Sequence, residues 1–159
     1  MTRRARGVVI TVQNGSRAAG VPPSADLERW ALGALEDGVR GELTVRVVDE
    51  AESAEMNARY RGKRGPTNVL SFPAEVPAAA EAAGEVLPFG DLVICAGVVE
   101  REAREQGKPL AAHWAHMVVH GALHLQGYDH ETVRDATTME ARERTLLARL
   151  GFPDPYSIK

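Results

Sequence analysis

The sequence contains a single cysteine, no long hydrophobic run and no excess of positive charge. Cys95 has no second cysteine to pair with, so an internal disulfide is impossible, which suits a reducing cytoplasm. No apolar stretch approaches the roughly 20 residues that a membrane helix needs, and the one after the basic N-terminus is too short for a signal peptide. Because the net charge is -3, a nucleic-acid partner would need a local basic patch. We expect a cytoplasmic protein with no membrane partner.

Length and composition predict a single domain over residues 1–159. The chain has 159 residues, of which 44% are hydrophobic, as in ordinary globular proteins. At this length folding buries about two-thirds of the surface that the unfolded chain exposes, so stability requires neither a disulfide nor a structural metal. Any metal site in this chain is therefore expected to be functional.

Strand patterns and helical periodicities alternate along the chain. The patterns predict strands near 7–12, 43–47, 68–72 and 91–95, and helices near 24–35, 51–60, 98–106, 109–125 and 135–150. The helix that ends near Leu125 is apolar nearly all round, which is typical of a central, buried helix. Ala78–Glu85 carries little pattern and is expected to be an exposed connection. These elements predict a single α+β or α/β domain.

All five histidines of the chain lie within the short segment 113–130. The first four are spaced three, four and four residues apart, so on a helix they share one narrow stripe. These four are His113, His116, His120 and His124. Such a stripe on a buried helix must point into the protein or into a cleft.

Only part of this stripe can share one metal ion. His120 and His124 are one turn apart, about 6 Å of rise, so their side chains can converge, whereas His116 lies about 12 Å from His124. A third ligand must come from another direction. Gly127 breaks the helix, and the chain can then turn so that His130 returns to the ion. The spacing predicts one zinc ion held by His120, His124 and His130.

The same spacing occurs in the long zinc-protease signature H-E-x-x-H-x-x-G-x-x-H. The glutamate that serves as general base in that signature is missing here, because Gly121 follows the first histidine. Three histidines leave at least one coordination position of zinc open, which is typical of a catalytic site. The pattern therefore predicts a metal-dependent hydrolase that lacks the protease base.

Two neighbours of the predicted ligands are candidates for supporting roles. Asp129 is placed to hydrogen-bond a ligand histidine, as carboxylates near metal sites do, and the alternative is that it fixes the turn. His116 is a candidate for a similar contact or for the substrate, although an ordinary buried histidine remains the simpler interpretation. The simpler interpretation also holds for His113.

A second cluster, of positive charge, surrounds Tyr60 in a predicted loop. Arg59, Arg61, Lys63 and Arg64 supply four cations within six residues. Phosphate binding needs such a dense cluster, since arginine can direct two donors to phosphate oxygens. An ordinary solvated surface loop would have the same composition, so the cluster alone leaves both interpretations open.

Taken together, the motifs resemble those of the YbeY family of bacterial endoribonucleases. The resemblance extends from about residue 8 to 156, with the motifs in the same order. The matching segments are Tyr60–Lys63, Pro66–Phe72, Gly90–Cys95, His120–His130 and Leu150–Tyr156. The histidine motif is highly specific, and the Pro66–Phe72 motif is moderately so.

The resemblance implies a fold, a site and a substrate. The fold would be α+β, with a small mixed four-stranded sheet, about five helices and the metal-bearing helix at the centre. His120, His124 and His130 would bind zinc, Arg61 would be the key basic residue of the cleft, and Arg59, Lys63 and Arg64 would contact substrate. The substrate would be single-stranded RNA, particularly the 3′ end of small-subunit rRNA. The expected partners are the small ribosomal subunit and its assembly factors, with no DNA.

Two other functions remain open from the sequence. The histidine spacing suggests a metalloprotease, although Gly121 argues against it. The second alternative is a non-catalytic RNA-binding factor in ribosome assembly, with a structural metal. The size argument weakens this second alternative, because a core of this size should be stable without metal.

Overall fold

A mixed β-sheet with helices around it forms the body of the protein. A computed structural model describes residues 2–5, 7–75 and 87–157, and the side chains of 7–75 and 87–157. The predicted connection Ala78–Glu85 lies outside the described residues. The strands are β1 (Thr2–Ala5), β2 (Val8–Asn14), β3 (Gly41–Val48), β4 (Val69–Pro73) and β5 (Pro88–Cys95). The described helices are α1 (Ser24–Ala34), α2 (Glu50–Arg61), α3 (Ala96–Gln106), α4 (Leu110–Leu125) and α5 (Val133–Arg149).

The strand order in the sheet is β1-β2-β3-β5-β4. The three inner strands run parallel, and the two edge strands β1 and β4 are antiparallel to their neighbours. The α+β class, the mixed sheet with its four predicted strands and the five helices are confirmed. The structure adds the short strand β1 at one edge. Its Thr-Arg-Arg-Ala sequence has none of the apolar alternation that predicts a strand.

Side chains of the inner strands alternate between two cores, because successive residues of a strand point to opposite faces. Leu43, Val45 and Val47 of β3 belong to the larger core, which also contains buried side chains of α1, α4 and α5. Val93 and Cys95 of β5 belong to a smaller core on the other face, where Met56 of α2 packs against it. Helices therefore cover the sheet on both faces.

Helix α4 lies at the centre of the larger core. Eleven of its 16 residues are buried, including Trp114, Val118 and Leu123, none of which has measurable exposure. This confirms the central helix that its apolar sequence predicted. Within the described part of the chain, no helix combines the length and apolar character needed to cross a lipid bilayer.

Candidate metal centre

Three histidines meet at the C-terminal end of the central helix. His120 and His124 occupy the last two turns of α4, and His130 lies five residues beyond its end. Gly127 has a φ of 97°, a left-handed conformation that glycine adopts readily, and it turns the chain back toward the helix. One ring nitrogen from each histidine lies within 4.8 Å of the others. The predicted convergence of the three imidazoles is therefore present in the geometry.

The three imidazole rings lie close to one another. The centroids of the His120 and His124 rings are 4.7 Å apart, those of His124 and His130 are 5.0 Å apart, and those of His120 and His130 are 5.6 Å apart. Zinc binds imidazole nitrogens at about 2.0–2.1 Å. A modest movement of the rings would bring one nitrogen of each histidine to this distance from a shared ion. The donor set thus fits a first-row metal ion such as zinc.

The three histidines open into a cleft of about 630 Å³. His120 has 22% of its side chain exposed, His124 is half-buried and His130 is exposed. A metal ion held here would keep access to a substrate, as a catalytic ion requires. Strand β4 and the loop before it line the facing side of the cleft.

A buried glutamate is hydrogen-bonded to the His120 ring through Nδ1. Glu143 of α5 has no measurable exposure, and its Oε2 lies 2.7 Å from Nδ1 of His120. Burial opposes ionisation of Glu143, but hydrogen bonds from His116, His120 and Tyr156 outweigh it and lower the pKa of Glu143 to about 2. Because an ionised carboxylate only accepts hydrogen bonds, Nδ1 of His120 carries the proton and Nε2 remains for a metal.

The described residues contain a second group that could hold a metal ion: His116, His120 and Glu143. This group is buried and already hydrogen-bonded, since Nε2 of His116 lies 3.2 Å from Oε2 of Glu143 and 3.3 Å from the hydroxyl of Tyr156. An ion there would displace these bonds and would have little access to a substrate. The three-histidine group in the open cleft fits a functional ion better.

Burial and the neighbouring rings of His120 and His130 lower the pKa of His124. The neutral imidazole is the form that binds a metal, because the ring nitrogen needs a free lone pair. At neutral pH the local environment of His124 therefore favours the state that can act as a ligand.

The predicted supporting residues occupy different positions around this site. Asp129 accepts a hydrogen bond from the backbone N–H of His130 at 2.7 Å, so it fixes the turn that presents His130. His116 is bonded to Glu143 through Nε2, and its ring lies edge-on to the His120 ring, with the two centroids 6.2 Å apart. His113 is buried two turns from His120, and its Nε2 lies 2.9 Å from Glu102, outside the metal centre.

Arg61 lies at the edge of the same cleft. It is the last residue of α2, which ends because Gly62 adopts a left-handed φ of 65°. The exposed Arg61 side chain crosses to β4, where its Nη2 donates a 2.7 Å hydrogen bond to the carbonyl of Ser71 and its Cζ lies 5.2 Å from the Phe72 ring centre. These contacts hold a positive charge on the wall that faces the histidines.

The other predicted cations are divided between two surfaces. Lys63 lines the metal-site cleft together with Arg61. Arg59 instead stacks over Tyr60, with its Cζ 5.5 Å from the ring centre, and borders a separate depression on α2. Arg64 is exposed in the loop that follows α2. The four cations therefore do not converge on one pocket. Arg61 and Lys63 line the cleft, whereas Arg59 and Arg64 lie outside it and are called the basic rim below.

The glycine that replaces the protease glutamate has a steric explanation. At Gly121 helix α4 approaches the sheet so closely that a Cβ atom would lie 2.8 Å from Cδ2 of Leu92 and 3.0 Å from Cγ2 of Val69. The carbonyl of Gly121 also accepts a 3.0 Å hydrogen bond from the hydroxyl of Ser71. A glutamate at this position would press against Leu92 and Val69, so the packing of α4 on the sheet disfavours the protease base here.

We expect Gly121→Ala to destabilise the protein. Alanine favours a helix over glycine by about 1 kcal/mol, but overpacking a filled site costs about 1–3 kcal/mol. The β-branched Val69 side chain has little freedom to move away, so the cost should prevail. Chemical denaturation measures the difference in unfolding free energy.

Gly97→Ala is the matched control for Gly121→Ala. Gly97 also lies in a helix, but the atoms nearest to its added Cβ belong to the flexible Glu50 side chain, at 3.2 Å. This control should be neutral or stabilising. If both variants were equally stable, the close contact of α4 with the sheet at Gly121 would be wrong.

Two kinds of comparison with known proteins identify relatives of this chain. The family model described as "Endoribonuclease YbeY" matches residues 23–151. The chain is 58% identical over 144 residues to endoribonuclease YbeY of Alkalilimnicola ehrlichii, covering 88% of this chain and 85% of that protein. It is 56% identical over 150 residues to endoribonuclease YbeY of Methylococcus capsulatus, covering 92% and 94%.

A solved structure shows a similar fold at lower sequence identity. The solution structure of a Thermotoga maritima protein matches with a TM-score of 0.51 and 23% identity, covering 94% of this chain and 99% of that one. At this identity the match concerns the fold alone. The family model and the curated relatives, by contrast, match most of the chain at high identity. The chain therefore belongs to the endoribonuclease YbeY family.

Proposed function

We propose that residues 1–159 form a single zinc-dependent endoribonuclease domain, specific for single-stranded RNA, that acts in the cytoplasm. Family membership confirms the predicted class of enzyme. The proposed task is maturation of the 3′ end of small-subunit rRNA, with a role in ribosome quality control. The observation that carries the proposal is the convergence of three histidines in a cleft that two cations also line.

One zinc ion per chain would be held by His120, His124 and His130. A zinc ion with three neutral imidazole ligands keeps its full positive charge and supplies Lewis-acid activation of water or of a phosphate oxygen. The protein presents these ligands on a rigid, buried helix and on a turn that Asp129 fixes. The helix and the turn therefore order the three ligands before the ion binds.

Arg61 is the proposed catalytic residue supplied by the chain itself. Its hydrogen bond to the Ser71 carbonyl uses one Nη2 proton, so further N–H donors of the guanidinium are free to bind phosphate. Negative charge grows on the phosphoryl oxygens during cleavage, and a donor held in place at that point stabilises it. Arg61 would thus act on the reacting phosphate from the wall opposite the histidines.

Lys63 is placed to bind a neighbouring phosphate of the RNA in the same cleft. Arg59 and Arg64, on the basic rim, would bind the RNA backbone outside the cleft. The exposure of these three side chains fits contacts with a flexible, solvated polyanion. The partners of the protein would accordingly be rRNA, the small ribosomal subunit and its assembly factors.

RNA binding is expected to weaken steeply with added salt, although the net charge of the protein is negative. Each lysine or arginine that neutralises a phosphate releases counterions, which sets the slope of log K against log salt. A variant with Arg59, Lys63 and Arg64 all replaced by Ala should have a flatter slope, by about 0.7 for each lost contact to a single strand. Fluorescence anisotropy with a labelled RNA measures this slope.

Replacing Arg17, Arg29 and Arg101 by Ala gives a variant of equal net charge as the control. These three arginines lie outside the cleft and the basic rim. The control should keep the slope of the wild type. An unchanged slope in the Arg59, Lys63 and Arg64 variant would place the RNA on another surface.

The metalloprotease alternative lacks its base, and the structure gives the reason in the packing of Gly121. The alternative of a non-catalytic assembly factor is disfavoured by the exposure of the histidine site to the cleft, because a structural zinc site is usually closed by four protein ligands. Purified protein should therefore cleave single-stranded RNA, should spare the same sequence in a duplex, and should not digest casein.

The direct test uses a defined fragment that contains the 3′ end of small-subunit rRNA. Cleavage within single-stranded segments supports the proposal, and the chemistry of the new ends shows whether water or the RNA 2′-hydroxyl attacks. Casein digestion without RNA cleavage would favour the protease. Stable RNA binding without cleavage, in protein that unfolds when its metal is removed, would favour the assembly factor.

A further inference from the structure

We propose that Glu143 and Tyr156 are positioning residues that hold the imidazole of His120 in its metal-binding orientation. This inference rests on the proposed metal site at His120, His124 and His130. It also gives a role to the C-terminal segment Leu150–Tyr156, which lies outside the cleft. The chain of contacts runs from the Tyr156 hydroxyl through the Glu143 carboxylate to Nδ1 of His120.

The two oxygens of Glu143 have different partners. Oε2 accepts from Nδ1 of His120 at 2.7 Å and from Nε2 of His116 at 3.2 Å, whereas the hydroxyl of Tyr156 donates to Oε1. The carboxylate is thus held from two sides and cannot rotate without losing a bond. Because the His120 ring is hydrogen-bonded to this fixed group, its other nitrogen points in a fixed direction.

Glu143 has a location that packing alone does not explain. It lies on the buried face of α5 with Met139, Leu146 and Leu147, where an apolar residue would be expected. Burying a carboxylate is costly unless it is fully hydrogen-bonded. A carboxylate bonded to a metal-ligand histidine fixes the ring tautomer and makes the ligand more basic. Such a role at the metal site would explain why Glu143 is kept in a buried position.

Tyr156 is held by Asp154 of its own segment and by Arg144 of α5. Its backbone N–H donates to Oδ1 of Asp154 at 2.8 Å, and Nε of Arg144 donates to the same oxygen at 3.1 Å. The Arg144 Cζ lies 5.1 Å from the Tyr156 ring centre. These contacts dock the C-terminal segment against α5 and aim the Tyr156 hydroxyl at Glu143.

The test measures zinc affinity, which a residue that only stabilises the fold would not change in the folded protein. Glu143→Gln keeps the size of the side chain but loses the charge, and its zinc Kd should rise about 10-fold to 100-fold, as for other carboxylates behind a ligand histidine. Tyr156→Phe removes only the hydroxyl and should raise the Kd by a smaller factor. Competition with a chromophoric chelator gives both values.

Glu102→Gln is the matched control. Glu102 lies on α3 and contacts His113, which is on the same helix as His120, at 2.9 Å, but it touches no proposed ligand. Its zinc Kd should equal that of the wild type. If Glu143→Gln fails to fold, the zinc Kd of Tyr156→Phe tests the positioning role instead. This variant should fold, because Tyr156 is 36% exposed and its ring is retained.

The outcomes distinguish this inference from the proposed function. Wild-type protein that binds no zinc would overturn the metal site itself. Wild-type protein that binds zinc, with an unchanged Kd in both Glu143→Gln and Tyr156→Phe, would overturn only the positioning role. Loss of zinc from Glu143→Gln together with full retention in His130→Ala would make Glu143 a direct ligand and would also overturn the inference.

Discussion

Purified His124→Ala protein is expected to contain no stoichiometric zinc and to have lost RNA cleavage, while its fold remains. His124 supplies one of three ligands, and two histidines from one helix hold zinc far less tightly than three. The side chain is half-buried at the end of α4, with its ring against His120 and His130 rather than in the apolar core. Elemental analysis measures the zinc, and circular dichroism confirms the fold.

His113→Ala is the control for loss of a histidine from the same stripe. His113 is more deeply buried, and its partner is Glu102, so this variant should lose stability but keep its zinc. The two variants thus separate metal binding from packing. Stoichiometric zinc in folded His124→Ala protein would refute the ligand assignment.

Arg61→Ala is expected to retain the fold and the zinc but to cleave RNA about 10²–10³ times more slowly, the usual effect of removing a donor aimed at developing charge. The side chain is exposed at the end of α2, and its contacts are one carbonyl and the face of Phe72. Ser71 and Phe72 lie on the edge strand β4, and Phe72 is only partly buried where it packs against the smaller core, so the loss of Arg61 should leave the core in place. Single-turnover cleavage rates, zinc content and thermal stability together distinguish a catalytic role from a structural one.

Arg61→Lys should recover only part of the rate, because an ammonium group cannot make the two-pronged contact with phosphate. Arg29→Ala serves as the control, since Arg29 is exposed on α1 and pairs only with Asp26 among the described contacts. Its cleavage rate should match the wild type. A normal rate in Arg61→Ala would make Arg61 an ordinary surface cation, whereas loss of zinc or unfolding would make it structural.

The histidine site could be predicted from the sequence because its geometry is local. His120 and His124 are one helical turn apart, and His130 follows a glycine turn only six residues later. Helix periodicity and the length of a zinc–nitrogen bond are enough to bring such residues together. The supporting role of Asp129 was left open between two interpretations, and its bond to the His130 backbone favours the turn.

The contacts of Glu143 and Tyr156 that position His120 could not be predicted in the same way. Glu143 and Tyr156 lie 23 and 36 residues beyond His120, and only the packing of α5 and the C-terminal segment against α4 brings them near it. One signal was present in the sequence. Glu143 interrupts the apolar stripe of Met139, Leu146 and Leu147, and a charge at such a position needs a buried partner.

The basic cluster shows a second limit of sequence analysis. Arg59 and Arg61 are two residues apart on a helix, so their side chains point in different directions, and only Arg61 lines the histidine cleft. Charge density in the sequence indicated the cluster but not this division. Likewise, the absence of glutamate at Gly121 was visible in the sequence, whereas its cause, the contact with Leu92 and Val69, requires the fold.

The central claim is that the metal held by His120, His124 and His130 carries out RNA cleavage. The most direct measurement removes the metal from wild-type protein with a chelator, assays cleavage of a single-stranded rRNA fragment, and then restores zinc stepwise. We expect cleavage to fall to background and to return fully at about one equivalent of zinc, and His124→Ala protein to show no return. Full-rate cleavage by the metal-free wild-type protein would contradict the account.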